Sequence, residues 1–310
     1  MNREKRRHGG RKGASRGTSA GRASRRGRQR VTLILLIIVF AVGVGLLLYP
    51  TVSNYWNSFH QSRAVMSYSA KVADMSKTDY SRILRNAKKY NRQITKHGIN
   101  WNLSKKEKAA YERQLNVGED GSMGYIDIPK ISVQLPIYHG TNEAVLQTSI
   151  GHLEGTSLPI GGKGTHSVLS GHRGLPSAKL FTDLDQLREG DTFTIHVLNR
   201  TLTYEVDQIR IVEPTDLSDL TIVKGKDYCT LLTCTPYRIN THRLLVRGHR
   251  IKNLNGNASI LADAIQIQPI YVIPFVAVPI IIVLVIYVFA VTGRRRRKHR
   301  GKTKSEGPEL

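Results

Sequence analysis

Three rhythms of apolar and polar positions follow one another along this chain. Val31–Tyr49 is a 19-residue stretch without a charged side chain, and Ile270–Thr292 is a second, interrupted by Pro274 and Pro279. About 20 apolar residues carry a helix across a bilayer, where proline is better tolerated than in soluble helices. Residues 50–118 read as polar and helical. There Tyr80, Ile83, Leu84, Ala87 and Ile94 fall near an amphipathic helix period. Ser104-Lys-Lys-Glu107 has the form of a capping box and opens a second helix to about Leu115. This region has few large apolar residues and is expected to pack on something else. From Gly118 onward the period shortens to two. Gly124–Ile131, Phe193–Val197, Leu202–Val206, Tyr228–Cys234 and Arg243–Ile251 read as strands. Gly161-Gly162, Gly190-Asp191, Asn199-Arg200 and Gly225-Lys226 punctuate them, a pattern of short strands and turns that predicts a mainly β barrel or sandwich.

Charge sharpens this picture. Residues 1–30 hold twelve Lys or Arg against one acid, and residues 293–310 hold eight against two. The tails thus carry most of the net charge of +24. A nucleic-acid-binding domain would carry its charge on the folded part, so that class is disfavoured. Basic residues abut both apolar stretches, and the positive-inside rule puts both tails in the cytoplasm and residues 50–269 on the other side. A cleaved signal peptide is the alternative for the first stretch, but no A-x-A-like site follows closely. The expected organisation is a basic tail (1–30), a membrane helix (31–49), a helical region (50–118), a β domain (119–252), a tether (253–269), a second membrane helix (270–292) and a basic tail (293–310). The Arg/Gly-rich start is read as an orientation and anionic-lipid element rather than an RNA binder.

Two cysteines exclude a disulfide scaffold and a multi-cysteine metal site. Gly161-Gly-Lys-Gly-Thr165 lacks P-loop spacing, and neither H-E-x-x-H nor C-x-x-C occurs. No cofactor and no metal are expected. Cys229 and Cys234 stand five apart in one strand, roughly 17 Å when extended, beyond disulfide reach. Odd spacing sends them to opposite faces. Cys234, at a strand end before Pro236, is the candidate nucleophile, and Cys229 reads as a buried small apolar residue. A thiol nucleophile needs a proton-transfer partner and a donor for the oxyanion. His172, just after the run Ser167-Val-Leu, and Arg243, nine residues past Cys234 across a hairpin-like return, are candidates. A structural histidine and a solvated arginine are the competing readings.

Thr230-Leu-Leu-Thr-Cys-Thr-Pro-Tyr-Arg-Ile-Asn-Thr-His-Arg-Leu-Leu-Val-Arg-Gly248 resembles the segment that bears the sortase nucleophile and active-site arginine. Leu169-Ser-Gly-His-Arg-Gly-Leu-Pro176 resembles the one that bears the sortase histidine. Ile137–Thr141 and Gly151–Pro159 add similarity to the class C, pilin-polymerising subgroup. The resemblance covers about residues 118–252. It implies a closed sortase-type β-barrel with an N-terminal helical lid region, flanked by two membrane helices. It also implies a cysteine transpeptidase with Cys234 as nucleophile, His172 as acid/base and Arg243 as oxyanion or substrate-orienting group. The implied reaction cleaves an LPXTG-like sorting signal between Thr and Gly through a thioacyl-enzyme and passes the acyl group to a pilin lysine. Implied partners are pilin or surface-protein substrates, an acceptor amine from pilin or a cell-wall precursor, and the membrane, with no nucleic acid. Attachment of proteins to peptidoglycan is the close alternative, and a non-catalytic tether or pilus-base module is the rival of another class. Two positions depart from the pattern. No Asp-Pro pair precedes the barrel to form the subgroup's lid motif, so Trp101 is the candidate plug, with packing of the upstream helices the other reading. Arg238 stands where glycine is expected after Pro-Tyr.

Overall fold

A computed structural model describes residues 19–118 and 120–253, without the side chains of 19–30. The expected second membrane helix, both outer tail segments and all but the start of the tether lie outside the described residues. The chain divides into two compact units at the Tyr49–Pro50 boundary. Helix α1 (Ser19–Ala73) contains Pro50 and runs on well past the expected end of the first span. Its stretch from Val31 onward has a mean hydropathy of 3.1 in its most apolar window, with none of that window buried. It is the one described helix long and apolar enough to cross a membrane.

In the second unit, eight strands close into a barrel: β1 (Ser122–Ile128), β2 (Val133–His139), β3 (Ile150–His152), β4 (Thr165–Ser170), β5 (Thr192–Val197), β6 (Arg200–Val212), β7 (Asp227–Thr235) and β8 (His242–Arg250). Around the barrel they run β1-β2-β3-β4-β7-β8-β6-β5, with β5 pairing back to β1. Closure leaves no unpaired edge. Alternation explains the interior: Cys229, Leu231 and Thr233 of β7 are fully buried, whereas Leu232 and Cys234 are only partly covered. Phe193 and Tyr204 stack inside with ring centroids 5.5 Å apart. A Cβ at residue 248 would stand 2.8 Å from Phe193 and 2.9 Å from Tyr204, so only glycine fits there.

The upstream helices pack on the barrel, as the scarcity of apolar residues in 50–118 predicts. Tyr68 of α1 is buried, donates to the Met123 carbonyl at 2.9 Å and accepts from Leu198 N–H at 2.8 Å. In α2 (Lys77–His97), the Asn91 amide both donates to and accepts from the backbone of Leu158. Helix α3 (Lys105–Glu112) opens with the predicted capping box. It stops short of Leu115, which takes a left-handed φ of 54° and buries its side chain in the core. Tyr111 of α3 reaches His152 Nδ1 at 2.9 Å. A short helix, α4 (Glu143–Leu146), follows β2 and is capped by Asn142.

Candidate active site

Parallel pairing of β4 with β7 builds the site. The ladder runs from Thr165 opposite Asp227 to Ser170 opposite Leu232. It continues one residue further, where Gly171 N–H donates to the Leu232 carbonyl at 3.0 Å and Thr233 Oγ1 donates to the Gly171 carbonyl at 2.7 Å. His172 therefore leaves the ladder at the level of Cys234. Gly171 is required there, because a Cβ would meet Phe181 at 2.7 Å and Ile150 at 2.9 Å. The carbonyl of His172 accepts from Phe181 N–H at 3.1 Å. Asn54 and Asn57 of α1 hold the following loop through the backbone of Lys179 and Ser177.

The β7–β8 hairpin places Arg243 directly opposite Cys234. Its Nη1 donates to the carbonyls of Asn240 (3.3 Å) and His242 (3.1 Å), while Nε and Nη2 carry no hydrogen bond among the described residues. All three sequence-derived candidates, Cys234, His172 and Arg243, thus come from three segments that meet at one end of the barrel. Cys229 lies apart from them. Its thiol is fully buried, and desolvation pushes it well above the ordinary thiol range, so it is not poised to be a nucleophile.

His172 is 28% exposed at its side chain. Its Nε2 stands 3.7 Å from the Glu143 carboxylate of α4, with no hydrogen-bond partner. Glu143 went unnoticed in the sequence because only folding brings α4 against the β4 loop. Arg173 also escaped notice. It looks like a surface charge in the sequence, yet its side chain is only 9% exposed. Arg238 takes φ 65°, the left-handed region, which is the physical reason for expecting glycine there.

Trp101 lies in the segment between α2 and α3. It packs against an outer apolar cluster built on Val168, Leu220 and Leu245 together with Leu232. Leu232 is two residues before Cys234, on the same face of β7. A cavity of about 600 Å³ opens beside Trp101, bounded by the segment 163–164 and the loop 221–225 that leads into β7. Among the described residues, no three His, Cys, Asp or Glu side chains gather as a metal site.

Comparison with known proteins bears on this geometry. A family model described as the sortase domain matches residues 126–251. Sortase D of Bacillus subtilis is 30% identical over 131 residues, 41% of this chain and 63% of its own. Sortase A of Bacillus anthracis is 25% identical over 221 residues, 71% of this chain and 95% of its own. The crystal structure of sortase C1 from Streptococcus agalactiae is 61% identical, with a TM-score of 0.61, covering 62% of this chain and 99% of that one. A sortase C of Clostridium perfringens, solved with the C-terminal cell wall sorting motif, is 43% identical, with a TM-score of 0.55, over 62% of this chain and all of its own.

Proposed function

Because the chain belongs to the sortase family of cysteine transpeptidases, we propose that it joins pilin subunits, cleaving an LPXTG-like sorting signal and transferring the acyl group to a pilin lysine. The observation that carries this reading is the meeting of Cys234, His172 and Arg243 at one end of the barrel, in a chain similar to solved sortase C structures. The Cys234 thiolate attacks the Thr–Gly carbonyl carbon. The oxyanion that forms accepts hydrogen bonds from Arg243, whose Nε and Nη2 donate to no other group among the described residues. Collapse breaks the C–N bond, and protonated His172 gives its proton to the leaving glycine amine. The thioacyl-enzyme is then attacked by a lysine ε-amine. His172 takes the proton of that amine, the Cys234 thiolate leaves, and an isopeptide bond remains. The reaction needs thiolate and imidazolium together, so the rate should rise and then fall with pH, reporting values that belong to the pair. A rate that climbs without limit toward high pH would sink this role for His172.

Trp101 acts in this proposal as a plug on the apolar face that continues from Leu232 toward Cys234. Its packing against Val168, Leu220 and Leu245 supports that role. Trp101→Ala should then speed acylation by a sorting-signal peptide, and an unchanged or slower acylation rate argues for simple packing. The chain is further proposed to be two-pass, with both tails cytoplasmic and the barrel outside the cell, held by Val31–Tyr49 and Ile270–Thr292.

The test is incubation of the full-length protein with a candidate pilin ending in an LPXTG-like signal. An SDS-resistant ladder that disappears with Cys234→Ala supports polymerisation. Cleavage without a ladder, with transfer to a cell-wall-type amine in a competition assay, moves the function to peptidoglycan anchoring. No acyl adduct on Cys234 by mass spectrometry leaves the non-catalytic module.

A further inference from the structure

We infer that Arg173 is a positioning residue: its guanidinium ties the loop that carries His172 to the end of the strand that carries Cys234, holding the two at working distance. This rests on the assignment of those two residues above.

The backbone ladder between β4 and β7 ends at Gly171, one residue before His172. Beyond it, Arg173 is the side chain that crosses back to β7. Its Nη1 donates to Thr235 Oγ1 at 3.0 Å, and Thr235 is the buried residue immediately after Cys234. Its Nε donates to the Thr182 carbonyl at 3.2 Å, and Nη2 pairs with Asp185. The guanidinium carbon stands 5.9 Å from the centre of the Tyr237 ring, in the loop that returns toward Arg243. Thr182 closes the arrangement from the other side, its hydroxyl accepting from Gly174 N–H at 3.2 Å. One rigid fork of donors thus spans three segments: the His172 loop, the 182–185 turn and the end of β7.

An ammonium cannot reproduce that fork, because it offers a point charge without planar, spaced donors. His172 sits on the loop after β4 and Cys234 near the end of β7, and their separation is fixed by what joins those two segments. A displacement of about 1 Å between reacting groups can cost on the order of 10²-fold in rate. Thr235 supplies a clean probe, since Thr235→Val removes one bond of the tie while leaving the positive charge and the Asp185 partner in place.

The test uses the full-length protein in detergent, with Arg173→Lys, Arg173→Met and Thr235→Val, and with Cys234→Ala as control. Two quantities are read. One is the pH profile of Cys234 alkylation by iodoacetamide, located by peptide mass spectrometry, which needs no substrate. The other is kcat and KM for cleavage of an LPXTG-like peptide, per titrated Cys234. All three variants should lower kcat by roughly 10-fold to 10²-fold, with KM held within about twofold. All three should also move the alkylation profile in the same direction. Adding Thr235→Val to Arg173→Met should cost little more than Arg173→Met alone, because both break one connection.

The proposal is overturned if kcat per titrated site stays at the parent value, or if KM alone rises. It is also overturned if only Arg173→Met shifts the profile while Arg173→Lys and Thr235→Val do not, since charge and not position would then be at work. Should Arg173→Met fail to fold, Thr235→Val and Arg173→Lys still decide the matter. Cleavage that persists in Cys234→Ala overturns the site assignment and this inference with it. Parent-like Arg173 variants beside an inert Cys234→Ala overturn this inference alone.

Discussion

Two cysteines five residues apart in β7 show how much a single position decides. Cys229 faces the core and Cys234 does not, because an odd spacing on a strand reverses the side chain. Cys234→Ala should abolish peptide cleavage, while Cys229→Ala should keep turnover per folded molecule, as measured by active-site-normalised kinetics. Loss of activity in both, with intact folding, would overturn the two-face argument. His152 carries a prediction about stability. It is fully buried between Tyr111 and the Ser157 carbonyl, and desolvation pushes it down to about 4 from the ordinary 6.5. The unfolded chain therefore binds a proton between those two values that the folded chain refuses. Its contribution to stability is complete above pH 6.5 and is lost as pH falls toward 4, a change of about 3 kcal/mol from this residue. His196, pushed down by burial to the same value, acts in the same direction. Denaturant midpoints recorded from pH 7 to pH 4 should fall steadily, and His152→Gln should flatten the slope. A slope unaffected by that substitution would remove His152 from the account.

At the scale of elements, polar anchors add to an apolar seam. Tyr80, Ile83, Leu84, Ala87 and Tyr90 of α2 and Tyr111 of α3 pack into the barrel's core cluster, and single hydroxyls and amides fix where each helix sits. Tyr68→Phe removes the hydroxyl that serves both Met123 and Leu198, leaving two buried backbone groups without a partner. A loss of about 1–3 kcal/mol is expected by denaturant unfolding. Ser104→Ala breaks the capping box and should cost about 1 kcal/mol, with faster hydrogen exchange confined to α3. Uniform loss of protection across the barrel would instead mean that α3 is part of one cooperative unit with it. The helix periodicity in 80–94 and the capping box were legible because both are local patterns. The positions of β1, β5, β6, β7 and β8 were legible for the same reason, whereas β2 and β3 were not read as strands. Helix over 50–73 was expected too, but its continuity with the first span through Pro50 was not, because proline removes a backbone donor and usually ends or kinks a helix.

The whole molecule combines an exposed apolar helix with a closed barrel. Truncation before Pro50 alone should leave the protein in the membrane fraction, held by Ile270–Thr292, whereas removing residues 1–49 and 270–310 together should release it to the soluble fraction, and both outcomes can be read by fractionation. The proposed topology further requires that single cysteines placed in either tail, in a Cys229/Cys234-free background, resist an impermeant maleimide on intact cells. Labelling of the C-terminal tail would refute the two-pass arrangement. Activity at this scale depends on strand order. β4 and β7 are separated by more than fifty residues of sequence, yet they are parallel neighbours in the barrel, and that adjacency brings His172 level with Cys234.

The sequence alone determined the rhythm of elements, the charge asymmetry, the opposite facing of the two cysteines and the pairing of Cys234 with Arg243, because each depends on periodicity or on a short hairpin. Its motifs also pointed to the family and to His172. Only the tertiary structure decided what surrounds those residues. Glu143 reaches His172 from α4, Arg173 turns inward to Thr235 instead of outward to solvent, and Trp101 packs against the cluster of Val168, Leu220 and Leu245. These contacts join segments distant in sequence, and no local preference of either partner encodes them. They follow from barrel closure, which fixes which surfaces meet.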